Sequence, residues 1–212
     1  MQVKPVYKTD VTAIQMRLNK RFEVPSSWHE AAFRGDLQRL QALFAQNHDI
    51  NETSTSLDGR TALHLAVELG RADMIKFLVY NYADVNLATR AKLEVGQEFG
   101  NTALNMGVMG GKAEIVSLLI SLSADPNGSC EGTNTPLNTA IQIWGVRYDQ
   151  EIVHALCQAK ADVKIPDRQG VLPLTRAILR IETQAVKHLL RARADAQERL
   201  PPSLDEEARF AD

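Results

Sequence analysis

Residues 58–86, DGRTALHLAVELGRADMIKFLVYNYADVN, set short apolar stripes between polar punctuation in a pattern that predicts two helices back to back. Asp58-Gly59 is a turn dipeptide, and Thr61 suits a helix N-cap because its hydroxyl can accept a bond from an amide left over at a helix start. Residues 62–69 make about two helical turns, a length that is marginal in isolation. Gly70 supplies the left-handed backbone that stops the helix and turns the chain back. Ile75, Leu78 and Val79 then fall on one face of a second helix, and Ala83-Asp84-Val85-Asn86 releases the chain into an extended turn. Neither helix buries its stripe alone, so the unit needs neighbours.

The sequence supplies them. Thr102-Ala103-Leu104 with Gly111 and Ala124-Asp125-Pro126-Asn127 repeats the unit, and Thr135-Pro136-Leu137 with Ala161-Asp162-Val163 repeats it again. Pro173-Leu174 with Ala194-Asp195-Ala196 is a degenerate copy, in which Pro173 opens a helix where its missing amide does no harm. Residues 26–51 are a further copy in altered form, with Trp28 for Leu63, His29 for His64, Gly35 for Gly70 and Asp49 for Asp84.

Thr61-Ala62-Leu63-His64, the inter-helix glycine and the closing Ala-Asp-Val-Asn resemble the ankyrin repeat family, whose period is roughly 33 residues. The resemblance implies an all-α ankyrin-repeat solenoid of helix-turn-helix units with short β-hairpin-like fingers. Five repeats are expected, at about 25–51, 58–86, 99–127, 132–164 and 167–197, within one repeat domain over 25–197. An amphipathic segment carrying Val11, Ile14, Leu18 and Phe22 predicts an N-terminal capping helix within 1–24. Residues 198–212 form a tail in which Ser203-Leu204-Asp205-Glu206 reads as a capping box for a short helix.

The resemblance also implies a binding surface without naming what is bound. In such proteins the ends of the first helices and the finger tips form a concave palm. Transferred to this sequence, those places are Phe33, Arg34, Glu68, Leu69, Met109, Gln142, Ile143, Leu179 and Arg180, with Leu57, Arg60, Phe99, Asn101, Asn134 and Arg168 on the fingers. Phe33, Leu69, Met109, Ile143 and Leu179 would form an apolar ladder suited to an amphipathic helix or an extended apolar peptide. Thr61, His64, Gly70, Thr102, Gly111, Thr135, Pro136 and Pro173 are instead read as structural.

Two places depart from the repeat. Residues 87–99, LATRAKLEVGQEF, lengthen one finger, and residues 144–150 enlarge the corner between the helices of repeat four. Insertions in repeat proteins often map to binding loops.

Composition narrows the function. A formal net charge of -2 lacks the strongly basic face of a nucleic-acid binder, so no nucleic acid is expected. Two cysteines, Cys130 and Cys157, lack metal-knuckle spacing and suit a reducing compartment. No run approaches the roughly 20 apolar residues of a membrane span. His64 is expected to tie Thr61 to the neighbouring repeat, a task that Asn105, Asn138 and Thr175 can share in the same slot. His154 and Cys157 stand one turn apart, but two ligands do not make a metal site. The sequence therefore predicts a non-catalytic protein-binding module, without cofactor or metal and a monomer rather than a dimer. It would act in the cytoplasm, or as a secreted effector in a host cytoplasm, as an adaptor, inhibitor or effector. The alternatives are a small-molecule sensor or enzyme using the inserted loops, and a structural or self-associating repeat protein.

Overall fold

The structure is a computed structural model, and it describes residues 27–54, 59–89, 91–92, 98–129, 133–142 and 150–192. The capping helix expected in 1–24, Leu57, Ile143, the corner with Trp144, the tip of the long finger and the tail lie outside the described residues.

The described residues form ten α-helices in five antiparallel pairs. These are α1 (Ser27–Arg34) with α2 (Leu37–Phe44), α3 (Ala62–Glu68) with α4 (Ala72–Tyr80), and α5 (Ala103–Met109) with α6 (Ala113–Ser121). The last two pairs are α7 (Pro136–Gln142) with α8 (Gln150–Gln158) and α9 (Pro173–Leu179) with α10 (Thr183–Arg191). The first helix of each pair packs on the first helix of the next, α1 on α3, α5, α7 and α9 in turn, while α6, α8 and α10 stack in a second row. This is the all-α repeat fold that the sequence pattern predicts.

Each helix has seven to nine residues, too few to persist alone, so the stability is tertiary. Trp28, Leu63, Leu104 and Leu137 occupy one slot of successive first helices and are fully buried, as are Leu40, Leu78, Leu119, Leu156 and Leu189 in the second helices. Burying each such side chain is worth about 1.5–3 kcal/mol. Phe44 and Phe77 meet edge to face at 5.9 Å between repeats one and two.

Polar groups lock the register. The Asp84 amide donates to Asn51 Oδ1 at 2.8 Å, the Asp125 amide to Asn86 Oδ1 at 2.8 Å and the Asp162 amide to Asn127 Oδ1 at 2.7 Å. Asp49, Asp84 and Asp125 each accept from the amide two residues on, shaping the turns that hold Asn51, Asn86 and Asn127 in place. Lys164 stands where the next Asn would be, so the ladder stops at repeat four.

The long finger is a β-ribbon at its base. β1 (Ala91–Lys92) pairs antiparallel with β2 (Glu98–Phe99), with Ala91 opposite Phe99, and a bridge joins Ala88 to Thr102 below them. The Asn101 amide donates to Thr89 Oγ1 at 2.9 Å, and the Thr89 amide to the Asn101 carbonyl at 3.0 Å.

Candidate functional site

The fingers meet the first helices at their C-terminal corners, and the junctions are polar. In repeat two the Arg60 guanidinium, at the finger base, donates to the Glu68 carboxylate, one residue before Leu69. In repeat four the equivalent pair is neutral: Asn134 Nδ2 donates to Gln142 Oε1 at 2.7 Å. Repeat three has Met109 at that place, and there Asn101 Oδ1 accepts from Asn105 Nδ2 at 3.3 Å instead. Phe33, Leu69 and Met109 are half-buried, and Leu179 is 47% exposed.

A second row of basic groups clasps these corners from the neighbouring repeat. Arg71 Nη2 donates to the Phe33 carbonyl at 3.2 Å, and Lys112 Nζ donates to the Val67 carbonyl at 3.0 Å and to the Glu68 carbonyl. Arg180 Nη1 donates to the Gln142 carbonyl at 3.1 Å. Carbonyls at a helix C-terminus lack intrahelical donors and carry the negative end of the dipole, so a cation from the next repeat satisfies both. Burial pulls the Lys112 ammonium below its usual range, while the nearby Glu68 carboxylate pushes it back up.

The fourth and fifth repeats enclose the most elaborate part of this face. A cleft of about 630 Å³ is lined by Asn134, Gln142, Arg168, Gln169, Arg176 and Arg180. Gln142 and Arg176 of this lining are bonded to Asp167, whose side chain is 1% exposed. Asp167 Oδ1 accepts from the Gln169 and Val171 amides, both at 2.9 Å. Oδ2 accepts from Gln142 Nε2 and Arg176 Nε at 2.9 Å and from Arg176 Nη2 at 2.5 Å. Burial opposes the Asp167 charge, yet these donors outweigh it and hold the carboxyl below its ordinary range.

Behind the corners, one slot of each first helix joins consecutive repeats. His29 Nε2 lies 3.1 Å from the carbonyls of both Glu52 and Arg60. Asn105 Nδ2 donates to the Asn134 carbonyl at 3.0 Å, and Asn138 Nδ2 to the Ile165 carbonyl at 2.9 Å. His64 Nδ1 accepts from the Thr61 amide at 3.2 Å and sits 2.9 Å from Thr61 Oγ1, which leaves its proton on Nε2. Burial drives the His64 imidazole down to about 4, against the pull of the Asn101 and Leu87 carbonyls, so it is neutral at pH 7. Its Nε2 makes no well-formed hydrogen bond. The enclosed ring is thus held by Thr61 at Nδ1, with the Asn101 and Leu87 carbonyls nearby.

The sequence model for ankyrin repeats (3 copies) matches residues 28–129 and 82–167. Together these span 28–167, that is 167 − 27 = 140 of the 212 residues. The chain is an ankyrin repeat protein. It is also similar to the Notch-regulated ankyrin repeat-containing proteins of Homo sapiens and Mus musculus, each 38% identical over 65 residues. Those alignments take in 30% of this chain and 57% of each relative's length.

In this ankyrin repeat protein the sequence-predicted palm residues do not form one uniform surface. Asn134, Gln142, Arg168 and Arg180 converge on the cleft. Arg60 and Glu68 are committed to each other, and Asn101 to the base of the finger. Arg34 is exposed and pairs with Glu30 of its own helix at 2.7 Å. Gly70 and Gly111 have φ of 69° and 63°, as their helix-ending role requires. Thr102 Oγ1 and Thr135 Oγ1 accept helix-start amides at 3.2 Å, while α7 and α9 begin on Pro136 and Pro173. The reading of the sequence missed Arg176 and Asp167 as partners and the clasp by Arg71 and Lys112. The available signal was a basic residue directly after the inter-helix glycine in repeats two and three.

Proposed function

We propose that residues 25–197 act as one non-catalytic domain that binds a partner protein through the face formed by the finger bases and first-helix corners. Ankyrin repeats generally mediate protein–protein interaction, and no described helix is long and apolar enough to cross a membrane. The observation that carries the reading is the row of Phe33, Leu69, Met109 and Leu179. They stand partly exposed at the corners of repeats one, two, three and five and outside the apolar core, whereas Leu65 and Val67, near Leu69, are buried. Corners clasped from the next repeat are preorganised, so binding would cost little ordering entropy. A few apolar anchors within a polar rim would then carry most of the affinity. The roles open to such a module are adaptor, inhibitor or effector, acting as a monomer in a cytoplasm.

The test is affinity capture with wild type beside Leu69→Arg/Met109→Arg. A partner held by wild type and lost by the folded variant is the expected result. A partner held equally by both would assign binding to another surface.

A further inference from the structure

Three turns between repeats share one hydrogen-bonding pattern and differ in the residue that follows. Asn51, Asn86 and Asn127 each offer Oδ1 to the Asp amide of the next repeat. In each turn the amide after the asparagine donates to the carbonyl of the turn's own Asp: Glu52 to Asp49 at 3.1 Å, Leu87 to Asp84 at 3.3 Å and Gly128 to Asp125 at 3.0 Å. Asn127-Gly128 is the one Asn-Gly pair in the sequence. The turn does not demand that glycine. Glu52 and Leu87 carry side chains at the equivalent place, and Gly128 lies outside the left-handed region that Gly70 and Gly111 occupy. The missing side chain has a chemical result instead, since a glycine nitrogen can approach a neighbouring carbonyl carbon that a bulkier residue keeps away. Asn127 and Gly128 are half-buried and Ser129 is exposed, so water reaches the turn.

We propose that Asn127 is a site of spontaneous deamidation that weakens the rung between repeats three and four. The Gly128 amide nitrogen attacks Asn127 Cγ, a new N–Cγ bond forms, and the side-chain nitrogen leaves as ammonia, taking the Gly128 amide proton with it. The product is a succinimide ring. Water then opens it: cleavage of the new bond yields aspartate, and cleavage of the bond from the Asn127 carbonyl carbon to the nitrogen yields isoaspartate. The fold sets the pace. The Asn127 side chain is held by the Asp162 amide at 2.7 Å and the Gly128 amide by the Asp125 carbonyl, so the turn must open locally before the ring can close. Aspartate places a second carboxylate beside Asp125, whose Oδ1 accepts from the Asn127 amide at 2.9 Å. Isoaspartate lengthens the main chain by one carbon and withdraws the acceptor from the Asp162 amide. Asn51 and Asn86 keep their rungs, so ageing strikes the stack between repeats three and four. This chemistry does not depend on partner binding.

Peptide mass spectrometry of the full chain, held folded in mildly alkaline buffer, tests it through the mass gain of a carboxylate over an amide. Asn127 should convert about tenfold or more faster than Asn51 and Asn86, as the lower barrier beside glycine requires. Gly128→Ala, whose Cβ meets the Asp125 carbonyl oxygen at 3.2 Å, should bring Asn127 down to the rate of the other two. Circular dichroism checks the fold; should that variant fail it, Leu87→Gly carries the test, because Asn86 then precedes a glycine and should convert alongside Asn127. The isoaspartate fraction, separated by ion exchange, should exchange its Asp162 amide hydrogen about tenfold faster than fresh protein, as a broken rung requires. Equal rates at the three asparagines, faster conversion of the more exposed Asn86, or an Asn127 that stays intact in the folded chain while converting in urea would each overturn the proposal. Unchanged exchange at Asp162 would overturn the weakened rung.

Discussion

Repeat two and repeat five follow the same plan with different means. Repeat two ends its first helix on Gly70 at φ 69°, whereas repeat five holds Ile181 in the same left-handed region at φ 61°, where a β-branched residue is strained. Repeat two keeps His64 buried and passes an Asn-to-Asp rung to repeat three through Asn86. Repeat five has Thr175 in the histidine slot, and Lys164 offers it no rung. Its apolar residues Ile178, Leu179, Ile181 and Leu190 are exposed, whereas Met74, Ile75 and Leu78 of repeat two are buried. In exchange, repeat five has a polar anchor that repeat two lacks, the Asp167 network. The comparison teaches that repeat five replaces the Asn-to-Asp rung with a bond from Gln142 of repeat four to Asp167, a carboxylate that an ion pair within repeat five holds in place.

The largest expected effect strikes the ionic lock. Asp167→Ala strips the acceptor from two amides, Gln142 and a nearly buried Arg176, and should destabilise the protein by about 3 kcal/mol in urea unfolding. Arg60→Ala, which breaks the more exposed pair of repeat two, should cost less than about 1 kcal/mol. Equal costs would remove the distinction between the two junctions.

A similar effect should come from pH at the imidazole lock. His64 folds with its pKa near 4, below the 6.5 of the unfolded chain, so between those values the unfolded state binds more protons. Stability contributed by the neutral ring is complete above about pH 6.5 and falls as pH drops toward 4, by about 3 kcal/mol. His29, also pulled down by burial, acts in the same direction. His64→Asn, which copies Asn105 and Asn138, should flatten the stability profile between pH 7 and 4.5. A profile unchanged by this variant would place the acid sensitivity elsewhere.

The smallest effect concerns the corner. Ile181 is 86% exposed, so Ile181→Gly sacrifices little burial and relieves the left-handed strain. A gain of about 1 kcal/mol is expected, read as a Tm rise of roughly 2–4 °C. No rise would mean that the corner of repeat five is not strained.

The repeated stripes and glycine corners made the helix pairs and their buried leucines legible in the sequence, because each is a local pattern with a fixed period. His29, Asn105 and Asn138 were legible as struts once the registers were aligned. The clasp by Arg71 and Lys112 and the Asp167 cleft were not, since they join residues from different repeats through side chains whose direction no periodicity encodes. Ile181 escaped for the opposite reason: it occupies a glycine's place, and its conformation is imposed by the neighbours on both sides.

The most direct test of the central claim is hydrogen–deuterium exchange of the chain alone and with its captured partner. Protection concentrated at the first-helix corners near Phe33, Leu69, Met109 and Gln142, and at the finger bases near Asn134 and Arg168, is predicted. Protection confined to the second-helix row, α2, α4, α6, α8 and α10, would contradict it.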